Sequence, residues 1–355
     1  MTLTRRPPAS VDTGAGFDTI IDVRTPAEFA QDHLPGAINL PVLSNSEHAD
    51  VGTLYRASPF EARKVGAAMV AANAARHIAG PVMAGLGGGW QPLVYCWRGG
   101  MRSGAFATIL DQIGWRVTVL DGGYKAWRRL VVARVADTPI TAPVWVLDGD
   151  TGSGKTAVLT AMARRGVQVI DLEALANHRG SLFGAMPGGQ PSQTLFESRL
   201  AAALEAVDPT RPLVFEAESS RIGERHLPKA VWAAIAAAPR LRLQVPRPAR
   251  AAFTAATYAE TGCDLEGISA ILDRLAPSHP RERIAEWRTL AAARDWAPLA
   301  EGLMADHYDP RYRKHRERYA DRETGVIAVD ALDPLGIEAA ADAVCAAIAQ
   351  ATERA

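Results

Sequence analysis

The chain has 355 residues, more than one small hydrophobic core organises, so two domains are the expectation. Apolar residues make up 48% and charged ones 22%, and 39 basic side chains cancel 39 acidic ones. That balance excludes a disordered polyelectrolyte and a protein drawn to nucleic acid by bulk charge, so any such contact needs a local basic patch.

Three cysteines, Cys96, Cys263 and Cys345, are an odd number at wide spacing and imply neither a disulfide framework nor a zinc cluster. The eight histidines show no paired helical spacing, so no metal site is expected from them. No apolar run approaches the roughly 20 residues of a membrane span. Met1-Thr2-Leu3-Thr4-Arg5-Arg6-Pro7-Pro8 lacks the apolar core of a secretory leader. The expected compartment is therefore the cytoplasm, with no membrane partner.

In chain order, Thr19 to Val23 reads as a short apolar strand, followed by a helix opened by Thr25-Pro26-Ala27-Glu28, a capping threonine with proline at the first helical position. Ala37 to Val42 is a second strand, and Pro59 to Ile78 a helix. Leu93-Val94-Tyr95 is a buried-type strand that ends directly at Cys96; Met101 to Ile113 is helical and Arg116 to Leu120 extended. Alternating strands and helices predict a doubly wound parallel sheet over residues 1–137. Thr138-Pro139-Ile140-Thr141-Ala142-Pro143 reads as a linker, 138–143. A second α/β domain, 144–355, starts with the strand Val144 to Leu147 and the helix Thr156 to Arg165. Its further strands are 167–170, 212–215, 241–245 and 326–329, with an arginine-rich, helical, lid-like stretch over 280–320 and a C-terminal alanine-rich helix that takes in Cys345 as a packing residue.

Two loops carry chemistry. In the first, Tyr95-Cys96-Trp97-Arg98-Gly99-Gly100-Met101-Arg102-Ser103, a cysteine sits where a strand turns into a helix. Backbone N–H groups and the helix N-terminus stabilise a thiolate there, Gly99 and Gly100 let the chain curl around the sulfur, and Arg98 and Arg102 add positive charge. Together with Ile21 to Phe29, His33 to Asn39 and Leu120 to Trp127, this loop resembles the rhodanese family over about residues 14 to 135. The resemblance implies a cysteine that carries sulfur or selenium as a persulfide or perselenide. Arg102 stands seventh counting from Cys96, one place later than in simple rhodanese loops. A Cys-x5-Arg loop is also similar to the rhodanese-fold phosphatases, so chalcogen transfer and phosphate-ester cleavage both stay open.

The second loop, Gly149-Asp150-Thr151-Gly152-Ser153-Gly154-Lys155-Thr156, is a complete P-loop between a strand and a helix. Its N–H groups form a nest for phosphate, Lys155 adds a point charge, and Thr156 is a candidate Mg²⁺ ligand. The strand at 212–215 ends in Glu216-Ala217-Glu218 rather than a Walker B aspartate. With Asp171 and Glu173 these residues form either a carboxylate site or a structural cluster at strand ends. Arg311, Arg313, Lys314 and Arg316, flanked by Tyr308 and Tyr319, read either as an RNA-backbone contact or as a solvated helix face.

A rhodanese-like domain fused to a P-loop NTPase-like domain, with Asn177-His178-Arg179-Gly180-Ser181, Glu216-Ala217-Glu218-Ser219 and Tyr308-Asp309-Pro310-Arg311-Tyr312, resembles the tRNA 2-selenouridine synthases over nearly the whole chain. The resemblance implies replacement of sulfur by selenium in wobble 2-thiouridine of tRNA, through an S-geranyl intermediate. It also implies selenophosphate and geranyl diphosphate as co-substrates, and the selenophosphate-producing enzyme as a partner. A P-loop small-molecule kinase with a regulatory rhodanese- or phosphatase-like domain, and a non-catalytic tRNA-binding protein, are the alternatives.

Overall fold

Strands that a parallel sheet buries on both faces must be continuously apolar, and Pro92–Tyr95 meets that condition, with all four residues buried. The computed structural model describes residues 3–180, 184–260 and 265–353. Its chain sorts into two units, Met1–Thr138 with Pro191–Ala206, and Pro139–Gln190 with Val207–Ala355.

The first unit begins with β1 (Thr4–Arg6), β2 (Thr19–Asp22), α1 (Pro26–Gln31), β3 (Ala37–Asn39), α2 (Asn45–Ala57) and α3 (Pro59–Ala79). It continues through β4 (Pro92–Tyr95), α4 (Met101–Ile113), β5 (Thr118–Leu120) and α5 (Gly123–Val132). Among the described residues its strands pair in parallel in the order β1-β5-β4-β2-β3. Ile21, Val94, Phe106, Leu110 and Val119, each fully buried, fill the space between sheet and helices. Thr25 caps α1 by accepting from the Glu28 N–H, while the Glu28 carboxylate accepts from the Thr25 N–H, a closed capping box.

At the C-terminal end of β2 the Arg24 guanidinium donates twice to Asp22, at 2.6 and 3.0 Å, and once to the Asp32 carbonyl at 2.6 Å. Both side chains are almost wholly excluded from water, at 1% and 0% exposure. Removing one partner of a buried pair strands the other charge. Asp22→Ala is therefore expected to destabilise the first unit by about 3–5 kcal/mol, read as a lowered denaturation midpoint.

The second unit opens with β6 (Val144–Gly149), α6 (Lys155–Arg164), β7 (Gln168–Ile170) and α7 (Leu172–Ala176). The next helix, α8 (Gln193–Glu205), belongs to the first unit, although the expected division at 138–143 placed it in the second. It buries Leu195, Phe196, Leu200 and Leu204. Ser198 on it donates to Asp32 at 3.0 Å, and Arg128 of α5 reaches its Thr194 carbonyl at 3.0 Å and ion-pairs with its Glu197.

The second unit resumes with β8 (Leu213–Glu216), β9 (Arg221–Ile222), β10 (Arg225–His226), α9 (Lys229–Ala237), β11 (Arg240–Gln244) and α10 (Arg247–Glu260). After these come α11 (Leu265–Leu275), α12 (Arg281–Ala292), α13 (Trp296–Leu303), α14 (Asp309–Glu317), β12 (Glu323–Ala328) and α15 (Pro334–Glu353). The main sheet is parallel in the order β12-β11-β6-β8-β7, and β9 and β10 form a separate antiparallel pair. The stretch expected to be lid-like is helical, and α11 to α13 with Tyr308 share a small core around Trp287.

Contrary to the expectation that no segment approaches a membrane span, α15 is long and apolar enough to cross one by length and composition. Its Ala340, Ala341, Val344 and Ile348 are buried in the same core as Val158, Leu159 and Met162 of α6. Cys345 lies on this helix, partly buried, and burial pushes its thiol above the usual range. Cys263 lies outside the described residues.

Candidate functional site

Cys96 leaves β4 and is 4% exposed. Its sulfur accepts a hydrogen bond from the Ser103 hydroxyl at 3.2 Å, one turn into α4, whose N-terminus begins at Gly100. A hydroxyl donor and a helix N-terminus both favour the thiolate over the thiol. The loop is clamped from outside: Tyr124 N–H donates to the Cys96 carbonyl at 2.9 Å and Lys125 N–H to the Trp97 carbonyl at 3.0 Å. Gly123 makes this clamp close, because a Cβ there would stand 2.3 Å from the Cys96 carbonyl oxygen.

Arg102 does not project a free charge over the sulfur. It donates to both oxygens of Glu28, at 2.6 and 3.1 Å. Burial pushes the Glu28 carboxyl up, but the Arg102 hydrogen bonds and charge, with the Thr25 N–H, outweigh it and hold the pKa down at about 2. Arg98 is exposed. Glu28 and Ser103 are the residues that motif reading passed over. Ser103 closes the quoted motif and has a hydroxyl within reach of the sulfur, whereas Glu28 arrives from 74 residues away and reads in sequence only as a helix cap.

In the second unit β6 is central and the sheet order changes direction beside it, so the loops after β6, β7 and β8 converge at their C-terminal ends. The loop after β6 is the P-loop. Lys155 Nζ donates to the Gly149 carbonyl at 3.0 Å and lies 5.7 Å from the Tyr312 ring centre, and Asp150 ion-pairs with Arg316. Glu173 in the first turn of α7, Glu216 at the end of β8 and Glu218 just after it bring their carboxylate oxygens within 4.8 Å of one another. Thr156 Oγ1 stands 3.4 Å from Glu173, and the Glu173 N–H donates to Glu216 at 2.8 Å. Gly180 is essential to this crowding, since a Cβ there would fall 2.6 Å from Glu173 Oε1 and 2.8 Å from Glu218 Oε1. Asp171, grouped with these carboxylates from sequence, caps α7 by accepting from the Ala174 N–H at 2.8 Å, and its charge also bears on Glu173 and Glu216.

Ser153 Oγ and Glu216 Oε2 are among the buried polar atoms here that have no hydrogen-bond partner among the described residues. An all-oxygen donor set with an orphaned carboxylate oxygen fits a hard divalent cation such as Mg²⁺, and an orphaned hydroxyl inside the P-loop fits a phosphate oxygen. Without a cation, Glu216 and Glu218 keep their protons above the usual carboxylate range. Burial, then the neighbouring Glu173 charge, raises Glu218 to about 8, and burial with the same neighbour raises Glu216 well above the usual range.

Stability follows from this. Below the ordinary Glu value of 4.5 both folded and unfolded chains carry the Glu218 proton; between 4.5 and about 8 only the folded chain keeps it. The stabilising contribution is thus lost as pH rises through about 8. Glu218→Gln is expected to flatten the fall in melting temperature across that window, and parallel wild-type and variant curves would refute the assignment.

The basic stretch divides in the structure. Arg313 and Lys314 are exposed, whereas Arg316 is committed to Asp150. Arg311 lines a cavity of about 780 Å³ together with Arg221, Arg225, Arg274, Tyr308 and Tyr312.

The first unit, with a cysteine at the turn from strand to helix, and the second, with a P-loop, define a two-domain α/β protein of rhodanese-like and P-loop class. Residues 10–130 match the rhodanese-like domain model, and residues 142–270 match the model described as the tRNA 2-selenouridine synthase AAA domain. Relatives named tRNA 2-selenouridine synthase include one from Shewanella halifaxensis, 31% identical over 335 residues that cover 85% of this chain and 90% of that one. Another, from Shewanella loihica, is 37% identical over 65% of this chain and 62% of its own, and one from Nitrosomonas europaea is 38% identical over 59% and 55%. In these last two the match spans less than two thirds of the relative's length. The chain belongs to the tRNA 2-selenouridine synthase family.

Proposed function

We propose that the protein replaces the sulfur of wobble 2-thiouridine in tRNA by selenium, using selenophosphate as donor and an S-geranyl-2-thiouridine intermediate formed from geranyl diphosphate. The observation that carries the reading is the Cys96 sulfur held by Ser103 at the start of α4, in a chain that also holds a complete P-loop. A thiocarbonyl sulfur leaves poorly, but an S-alkylated one departs as a thiol, so two easier steps replace one hard exchange.

The division of labour follows the residues. The P-loop nest, with Lys155 and the orphaned Ser153 hydroxyl, takes the diphosphate of the prenyl donor. Glu173, Glu216 and Glu218 are the residues that would hold Mg²⁺, which would screen the diphosphate charge. The Cys96 thiolate takes selenium from selenophosphate with phosphite as the leaving group, the perselenide bonds to C2 of the activated base as geranyl thiol departs, and two equivalents of a small-molecule thiol cleave the S–Se bond and restore Cys96. The protein acts in the cytoplasm and takes its donor from the selenophosphate-producing enzyme. The test is nucleoside analysis of tRNA from cells with and without this protein. The expected result is 2-selenouridine only when the protein is present, with S-geranyl-2-thiouridine accumulating when selenium is withheld. Identical nucleoside profiles reject the reading.

A further inference from the structure

The Cys96 loop opens beside a cavity of about 430 Å³ that lies wholly within the first unit. Arg24, Glu28, Trp97, Tyr124, Lys125 and Arg129 are among the residues that line it. Its size falls in the range of about 300–1,000 Å³ typical of small-molecule sites, enough for a single nucleotide and too small for an RNA stem.

The cysteine loop contributes Trp97, the residue that follows Cys96 in the chain, to the wall of this cavity. Cys96 is buried, yet Trp97 is 41% exposed. That exposure is not looseness. The Trp97 ring rests on Tyr124 with centroids 5.1 Å apart and planes tilted by 33°. Tyr124 in turn is fixed by a 2.7 Å hydrogen bond from its hydroxyl to Asp32 and by the Arg24 guanidinium 4.1 Å from its ring centre. A braced indole with open surface is a stacking platform, and any base has a face to lay on it.

The charges around the cavity are sorted. Its acidic groups are largely answered: Glu28 by Arg102, and Asp32 by Tyr124, Ser198 and Arg128. Lys125 and Arg129 are four residues apart on α5 and so share a face. Both are exposed, and neither takes part in an ion pair among the described residues, whereas their neighbour Arg128 is bound to Glu197. Asp137 is the one exposed carboxylate left at the rim. The result is an apolar, aromatic floor with two free cations at its edge, the arrangement that receives a splayed base and the phosphates on either side of it.

We propose that this cavity seats the target nucleotide of the RNA, stacked on Trp97, with Lys125 and Arg129 gripping its flanking phosphates, so that the base is held beside the loop that carries Cys96. The proposal rests on the reading of the chain as a tRNA-modifying enzyme and adds to it the place where the base binds.

The test uses the full-length protein and an anticodon stem-loop RNA carrying iodouridine at the wobble position. Irradiation should form adducts on the peptide that contains Trp97 or on the one that contains Tyr124 and Lys125. Trp97→Ala should raise KM for tRNA by about tenfold, Trp97→Phe should restore most of it, and kcat should move much less. The double variant Lys125→Ala with Arg129→Ala, whose residues lie on the surface, should weaken binding and lower the salt dependence of the affinity. Unchanged KM in Trp97→Ala and in the double variant, with adducts confined to α14, overturns the proposal and leaves the tRNA-modifying reading standing. A wild-type protein that neither binds nor modifies tRNA overturns both.

Discussion

Replacing Cys96 with serine is expected to abolish selenium incorporation into tRNA, a loss of about 10³-fold or more, as removal of a covalent centre produces in other enzymes. The substitution is nearly isosteric, and the side chain sits in a pocket only 4% exposed with the Ser103 hydroxyl still in place to hydrogen-bond the new oxygen. The fold should survive, and the melting temperature checks this. A serine hydroxyl stays protonated at neutral pH and carries no selenium, so the second step fails outright while the P-loop step and tRNA binding continue. The observable is a build-up of S-geranyl-2-thiouridine in place of 2-selenouridine. Cys345 offers no substitute, since its thiol is partly buried and pushed away from ionisation. Labelled selenium recovered on Cys345 or Cys263 would reject the assignment.

Lys155→Ala should be nearly as severe, but at the other step. Lys155 is the cation of the P-loop, tethered to the Gly149 carbonyl at 3.0 Å and facing the Tyr312 ring. If the P-loop takes the prenyl diphosphate as proposed, the loss of Lys155 removes a preorganised charge from the leaving group, an effect of about 10²–10³-fold. It also removes the positive charge that restrains the upward shift of Glu173 and Glu218, so the carboxylates hold their protons more tightly. The expected result is no prenyl transfer and no selenation of tRNA bearing plain 2-thiouridine, whereas tRNA supplied already geranylated is still selenated through Cys96. Lys155-dependent ATP turnover stimulated by a small molecule, without prenyl transfer, would instead establish the kinase alternative.

Local signals carried most of this reading, and their reach explains what stayed hidden. Helix α4 spans Met101–Ile113, the bounds read from its sequence, and the P-loop and the Cys96 turn are contiguous stretches whose chemistry is written in adjacent residues. β1 was not anticipated because Thr4-Arg5-Arg6 is short, polar and exposed, as an edge strand can be. α2 was missed for a related reason: none of its residues is buried, so no apolar stripe marks it, and only the Ser44–Glu47 capping box announces its start. At the sites, the hidden partners are distant in sequence. Glu28 meets Arg102 across 74 residues, and Arg316 meets Asp150 across 166. Asp171 shows a second role that sequence leaves open, because an aspartate after a strand can cap a helix while its charge bears on neighbouring carboxylates.

The placement of α8 has a consequence for how this protein is made. Its residues leave the ribosome after the P-loop, yet they cover α5 and supply Ser198 and Glu197 to Asp32 and Arg128 of the first unit. At about 5–20 residues per second, vectorial synthesis lets an ordinary N-terminal domain close as soon as its own sequence has emerged. Here the cysteine-bearing unit must wait, with Asp32 and Arg128 incompletely matched, until Ala206 is out. A nascent chain halted near Thr138 should therefore be far more sensitive to protease than one halted beyond Ala206, and gene fragments cut at the linker should yield two insoluble pieces rather than two working halves.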